Sequence, residues 1–361
     1  MSQHPTIAII GGGPGGLTLA RILYLHGIVA TVFESDAHPL ARPQGGSLDM
    51  HEETGQYALH LAGLEDTFRS FARYEDQGDK VYSPDGTLLA EKSGQDDNRP
   101  EIDRTQLRQL LLDSLPDGMV RWNQKVKSIQ RLADNRSAVV TSEDQEEVFN
   151  LVVGADGAWS RVRALVSDAV PFYEGVTIAE LGIDEVDTKH PEIARLIGHG
   201  KIFSKGNGKT LIAQRNDYGH IRVYAALRIP ENSLNIDIAK PERAKEVLES
   251  EFSEFAPELI NLITTGKFIG LRPMYALPIG HRWNNQVGVT LIGDAAHLMS
   301  PFSGEGANSA MIDAADLAMS LVQKSDWVQA VKDYEDKMFP RAEVAASGAA
   351  EGLRGGVSVD G

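Results

Sequence analysis

Ile7-Ala8-Ile9-Ile10-Gly11-Gly12-Gly13-Pro14-Gly15-Gly16 decides how this chain folds. Residues 6–10 form a short, continuously apolar run rich in β-branched side chains, the pattern of a strand buried on both faces. Gly11, Gly13 and Gly16 then set out GxGxxG. Leu17, Ala20, Leu23 and Tyr24 recur at helical spacing, and Gly27 closes that helix as a C-cap. Residues 30–34 supply the next strand, which ends on an acid, Glu34. In such a unit the first glycine permits a tight turn and the second lets backbone approach a pyrophosphate. The third lets helix and strand pack closely, and the helix N-terminus faces the diphosphate. Glu34 follows Gly16 by 18 residues, the place from which an acid hydrogen-bonds a ribose. The unit predicts a dinucleotide site. Its alternative is a glycine-rich turn in an α/β domain with no ligand.

Two further segments repeat the strand-then-turn pattern. Leu151-Val152-Val153-Gly154-Ala155-Asp156-Gly157 is an apolar strand ending in a Gly-Asp turn, and Asp156 has the alternative of bracing that turn with its own side chain. Leu291-Ile292-Gly293-Asp294-Ala295-Ala296-His297 is the other, followed by Pro301-Phe302-Ser303-Gly304-Glu305-Gly306-Ala307-Asn308. Gly304 and Gly306 precede a helix predicted to start at Ala307, so a second helix N-terminus is offered to an electronegative group. An aspartate after a buried strand accepts hydrogen bonds from sugar hydroxyls. His297 and His51 are read as loop-holding residues rather than acid–base groups. No second GxGxxG occurs: Gly198-His199-Gly200 and Gly206-Asn207-Gly208 lack the third glycine and read as turns.

The bulk properties narrow the classes. At 361 residues, two domains or one domain with a large insertion is expected. A formal net charge of −16 argues against a nucleic-acid surface and against docking on anionic lipid. There is no cysteine, which excludes disulfides, zinc–thiolate and iron–sulfur sites, and a cysteinyl-linked flavin. No apolar run reaches the ~20 residues of a membrane span, and the apolar N-terminus lacks the basic start of a signal sequence. A cytoplasmic monomer is expected, with no membrane or nucleic-acid partner and no metal site. Residues 352–361 read as a frayed tail.

The three segments in this order resemble the single-component, FAD-dependent class A monooxygenases of the para-hydroxybenzoate hydroxylase type, over nearly the whole chain. Gly154-Ala155-Asp156-Gly157 matches the family's DG motif, and Gly293-Asp294-Ala295-Ala296-His297 with Pro301 its GD motif. The resemblance implies that Asp294 holds the ribose and ribityl part of FAD, and that Pro301 lies beside the isoalloxazine ring. It also implies that the DG region, Asp156 included, helps bind FAD and NADPH. Residues 41–51, 100–108 and 284–308 look closer still to the Tet(X)-type tetracycline-inactivating monooxygenases. By that likeness Arg42 of the ARxxGG segment contacts NADPH, while Asp49 of LDxH and Arg104 of EIxRxxLR contact FAD. A surface ion pair is the alternative for Arg42 and for Arg104.

The implied fold is α/β. It has a Rossmann-like FAD-binding domain (1–70, 101–172 and 272–325) and an inserted antiparallel-sheet substrate domain (71–100 and 173–271). A C-terminal helix and tail (326–361) complete it, helical over residues 326–346 with Pro340 as its point of break risk. The implied activity consumes NAD(P)H: hydride passes to non-covalent FAD, O2 adds to give a C4a-hydroperoxyflavin, and an aromatic or polyketide-like substrate is hydroxylated. No catalytic side chain is named. The cofactor set is Gly11, Gly13, Gly16, Glu34, Arg42, Asp49, Arg104, Asp156, Asp294, Pro301, Gly304, Gly306, Ala307 and Asn308. The substrate half matches poorly. The family's tetracycline-contacting Gln and Arg have no clear equivalents, and the stretch around Glu180, Asp184 and Glu185 is acidic there. Tetracycline is thus a candidate substrate. A non-oxygenating reductase or dehydrogenase of the same fold, and a flavin-binding sensor or sequestering protein, are the alternatives.

Overall fold

The computed structural model describes residues 4–94 and 97–358. Its apolar runs assemble into a five-stranded, wholly parallel sheet in the order Val289–Leu291, Leu151–Gly154, Ile7–Ile10, Ala30–Phe33, Val120–Arg121. Every residue of Ile7–Ile10 and Leu151–Gly154 is buried, as two-sided coverage demands. Helices Pro14–Leu25 and Gly306–Gln323 pack closely, because Gly15 has no side chain: a Cβ there would stand 2.9 Å from the carbonyl oxygen of Ala310.

A seven-stranded sheet forms the other half, in the order Lys267–Ala276, Phe172–Ile183, Ile221–Arg228, Lys209–Arg215, Lys201–Gly206, Asp79–Tyr82, Leu88–Lys92. It is antiparallel except where Lys201–Gly206 runs parallel to Asp79–Tyr82. Pro273, which cannot donate to a ladder, sits on an edge strand at a register shift. One face of this sheet is apolar: Ala179, Leu181, Leu211, Val223 and Leu227 pack under helices Pro191–Ile197, Pro241–Glu251 and Pro257–Thr265. Each of those helices starts on the proline its first turn tolerates. A two-stranded ribbon, Ser47–Asp49 with Glu101–Asp103, and a three-stranded sheet over 126–149 complete the strands. No described helix is long and apolar enough to cross a membrane.

The C-terminal helix departs from its expected course. It runs unbroken from Trp327 to Gly356 through Pro340, with Asp326 accepting from the amides of Val328 and Gln329 at its start. Pro340 forfeits one helical hydrogen bond, and contacts on either side hold the axis. Before it, the Tyr334 hydroxyl donates to the carbonyl of Leu291 (2.8 Å). Buried Glu335 accepts from Trp283, Asn285 and Thr290. After it, Arg341 donates to Asp313 and Asp316. The expected frayed tail is likewise corrected. Gly352 and Gly356 press on Phe302, while Leu353 and Val357 are buried with Val176, Ile178 and Ala226 of the seven-stranded sheet. The Arg228 Nε donates to the carbonyl of Val357 (2.7 Å), and the Gly208 amide to that of Ser358 (2.7 Å). Residues 359–361 of that tail lie outside the described residues.

Candidate functional site

The glycine loop is shaped by backbone contact. Gly11 sits at φ +111°, and a Cβ there would lie 2.2 Å from the carbonyl oxygen of Ala155. One on Gly16 would lie 2.1 Å from that of Gly11. Gly13 differs: a Cβ there would meet no protein atom within 4 Å, so this residue keeps the outer side of the loop clear. Glu34 is buried at the end of its strand. Its Oε2 accepts from the Gly12 amide (2.7 Å) and its Oε1 from the Asp36 amide (2.8 Å). Arg108, four residues after Arg104 on helix Arg104–Asp113, was not singled out from the sequence. It donates to the carbonyls of Gly12 (3.2 Å) and Pro39 (3.1 Å) and to Asp36 (3.1 Å), with its guanidinium over Trp122. Its signal was its place in EIxRxxLR. Arg42 is not drawn in: it is exposed and paired with Asp36 at 3.1 Å.

Asp156 lies directly under this loop. Its Oδ2 accepts from the amide of Arg161 (2.7 Å), while its Oδ1 is buried without a partner among the described residues. Burial pushes its carboxyl above the usual range, against the bonds from Ser160 and the Arg161 amide. Arg163, given no role from the sequence, is buried and donates to the carbonyls of Ala158 (2.6 Å) and Ala295 (3.1 Å), tying the second segment to the third.

The third segment is fixed from behind. Fully buried Asp313 accepts from the Gly293 amide (2.9 Å) and from Arg341 (2.8 Å), and stands 2.6 Å from the Nε2 of His297. Burial works against both charges. Even so, His297 is held above its usual value by Asp313, and Asp313 is held below its own by His297 and Arg341. His297 thereby occupies the loop-holding place expected of it. Asp294, beside it, is exposed to solvent as a residue although protein encloses its carboxyl, as at the floor of a crevice. That enclosure pushes its carboxyl up, with His297, Arg104 and Arg163 opposing.

The turn Pro301–Ser303 leads into Gly304, in the left-handed region at φ +71°, where a Cβ would stand 3.2 Å from the Oδ1 of Asp49. Asn308 stitches the two segments together: its Oδ1 accepts from the His51 amide (3.0 Å) and its Nδ2 donates to the carbonyl of Asp49 (2.9 Å). Gly306 and Ala307 form the first turn of helix Gly306–Gln323, and a Cβ on Gly306 would meet nothing within 4 Å. The ring of His51 lies between Asp49 (3.1 Å) and Glu305 (3.4 Å). Burial opposes its charge, but those two carboxylates raise it to about 9. Arg104 projects into the same crevice. Enclosure lowers its pKa, while Tyr224, Asp294 and Glu180 favour its charge. No hydrogen-bonding or ion-pairing partner holds its guanidinium among the described residues. The structure thus gathers Asp49, Arg104, Asp294, Gly304, Gly306, Ala307 and Asn308 around one crevice, with Pro301 exposed at its rim. The glycine loop, Glu34 and Asp156 lie at the ends of the parallel strands.

These residues suit a flavin dinucleotide: a backbone-only loop with a clear outer side, a crevice carboxylate free to accept, and an unpartnered guanidinium. The family described as FAD binding domain matches residues 4–345. The monooxygenase asqM of Emericella nidulans is 34% identical over 370 residues, covering 87% of this chain and 83% of its own. Klebsiella pneumoniae HpxO, solved with FAD and uric acid, superposes with a TM-score of 0.84 at 20% identity, covering 98% of this chain and 89% of its own. The tetracycline destructase Tet(55) gives 0.76 at 22% identity, covering 99% and 90%, so the likeness to the Tet(X) type is one of fold. With the fold, the crevice and these relatives in agreement, the chain belongs to the FAD-binding-domain family of FAD-dependent monooxygenases.

Proposed function

We propose that this monooxygenase consumes NAD(P)H and O2 to hydroxylate an electron-rich aromatic or polyketide-like substrate lying between the Asp294 crevice and the seven-stranded sheet. The observation that carries this reading is the meeting of two sets of polar groups, of which the side chains of Asp294, Arg104 and Tyr224 have no hydrogen-bonding partner among the described residues and Glu180 is paired only with Arg272. Asp294 and Arg104 rise from the cofactor side, and the sheet's Tyr224 and Glu180 face Arg104 across the gap. When bound, FAD supplies hydride acceptance and O2 activation. The chain's own residues then bind, orient and exclude water. Gly11, Gly13 and Gly16 clear the approach to the pyrophosphate, and Glu34 receives a ribose. Asp294 accepts from the ribityl hydroxyls, with Asp156 bracing the turn beside it. The amides around Gly304–Asn308 offer donors to the electron-rich edge of the ring. Asp49 and Arg104 close on the cofactor, and Arg42 meets the nicotinamide nucleotide. Phe302, Leu353 and Val357 seal one side against water, which protects a reactive oxygen donor from wasteful decay. Tyr224 keeps its proton, because burial and Glu180 push its hydroxyl upward.

Oxygen uptake and NAD(P)H oxidation by the yellow protein, measured over a panel of phenols and tetracyclines, test the proposal. Product heavier by one oxygen is expected for at least one phenolic or enolic compound. Turnover without O2 uptake sinks it. Asp294→Ala should purify largely colourless, and a full flavin complement in that variant refutes the assigned ribityl contact.

A further inference from the structure

The substrate-facing side of the seven-stranded sheet carries one feature that neither the cofactor nor the core requires. Along Phe172–Ile183, Ala179 and Leu181 point into the helix-covered core, so Ile178 and Glu180 point the other way. Ile178 packs with Ala226, Phe302, Leu353 and Val357, which places this face beside the Pro301–Ser303 turn. Glu180 is only 5% exposed. Its register partner across the sheet is Tyr224, whose hydroxyl reaches the backbone of Gly46: a Cβ there would be 2.3 Å from it. Arg272, on the neighbouring edge strand, places its Nε 2.5 Å from the Oε1 of Glu180 while more than half of its side chain stays exposed. Among the described residues the second oxygen of Glu180 and the Tyr224 hydroxyl have no hydrogen-bonding partner.

A largely buried carboxylate with one oxygen left without a protein donor can take a donor from a ligand. Arg272 is the sheet-side cation paired with Glu180 and able to take a substrate carboxylate in a forked grip, while buried Arg222 lies two residues along the same face, opposite Gly182. Glu180 already neutralises Arg272, and an incoming anion would also face the free Glu180 oxygen across a poorly hydrated wall. The same pair welcomes a neutral group: an N–H or O–H donates to Glu180, and a neighbouring carbonyl accepts from Tyr224. We propose that Glu180, held by Arg272, makes the pocket select uncharged aromatic or polyketide-like substrates bearing an N–H or O–H donor beside a carbonyl, and reject substrates that carry a carboxylate at that position. This rests on the functional reading above and adds the chemical class of its substrate.

The test uses two probes of one shape, 2-naphthamide and 2-naphthoate, titrated into the FAD-loaded full chain without NAD(P)H. Dissociation constants are read from the perturbed visible spectrum of the flavin. The amide should bind the wild type about tenfold tighter than the carboxylate, as expected for an uncompensated buried like-charge contact. Glu180→Gln, which keeps shape but frees Arg272, should shift that ratio about tenfold or more toward the carboxylate. Arg272→Gln, which leaves Glu180 unpaired and is first checked for folding by its melting temperature, should weaken the carboxylate further and leave the amide within about threefold. A ratio unchanged in Glu180→Gln, a wild type that prefers the carboxylate, or a flavin spectrum that responds to neither probe overturns the proposal. The functional reading fails separately, by loss of O2 uptake with every substrate, and the two outcomes are read in different experiments.

Discussion

The parallel sheet and the seven-stranded sheet meet the same crevice by opposite means. The parallel sheet presents backbone: its glycine loop is defined by carbonyls that stand about where a Cβ would go, and its strands are buried throughout. The seven-stranded sheet presents side chains: one face is sealed under helices, while the other carries Glu180, Tyr224 and Arg272. Backbone recognition leaves few permissible residues where carbonyls crowd the loop, because only glycine fits at Gly11 and Gly16. Side-chain recognition leaves many, because charge and reach matter more than backbone shape. The first therefore tolerates little change, and the second leaves room for the choice of substrate to vary.

The contrast is best broken at its shared support. Asp313→Ala strands buried His297 and leaves Arg341 with Asp316 alone, and should cost about 3–5 kcal/mol in denaturant unfolding, with loss of flavin. A loss below about 1 kcal/mol would show that the Asp294 turn stands without that support. Gly16→Ala forces a methyl onto the Gly11 carbonyl and should cost about 3 kcal/mol. If its melting temperature and flavin content match the wild type, backbone crowding is not what shapes the loop. The stitch between the ribbon and the Gly304 loop is pH-dependent. His51 titrates near 9 when folded against an ordinary 6.5, so it binds its proton more tightly in the native state. Its contribution, about 2–3 kcal/mol, is fully present below pH 6.5 and is lost as pH rises through 9. Thermal unfolding across pH 6 to 10 should show this decline, and His51→Gln should flatten it. Arg42→Ala should change stability by less than about 0.5 kcal/mol, since the residue is an exposed ion-pair partner. If Arg42 also serves the nicotinamide nucleotide, the KM for NAD(P)H rises while flavin content stays unchanged.

Much of the cofactor side was legible because its signals are local: strand, glycines, helix and acid fall within residues 6–34, and the two later segments repeat the pattern. Asp49 and Asn308 were readable only through motif likeness, since the bonds joining them span some 260 positions. Arg108, Arg163 and Arg341 were given no role because an arginine's part depends on which carbonyls or carboxylates the fold brings to it. The break risk at Pro340 is not realised, because helix propensity is local whereas Tyr334, Glu335 and Arg341 hold the axis through tertiary bonds. The same holds for the small residues at 352–356. They read as a loose tail in sequence, and in the fold they are the contact surface for Phe302.

The long C-terminal helix has a consequence for the order in which the molecule is made. The parallel sheet needs Val289–Leu291 to complete it, the Asp294 turn needs Arg341, and the wall above the substrate needs Leu353 and Val357. During vectorial synthesis the glycine loop therefore emerges some 300 residues ahead of its last partners. The nascent chain carries exposed apolar strands through that interval, a state prone to mispairing. Flavin capture therefore waits on residues 289–357, rather than on the appearance of the dinucleotide motif.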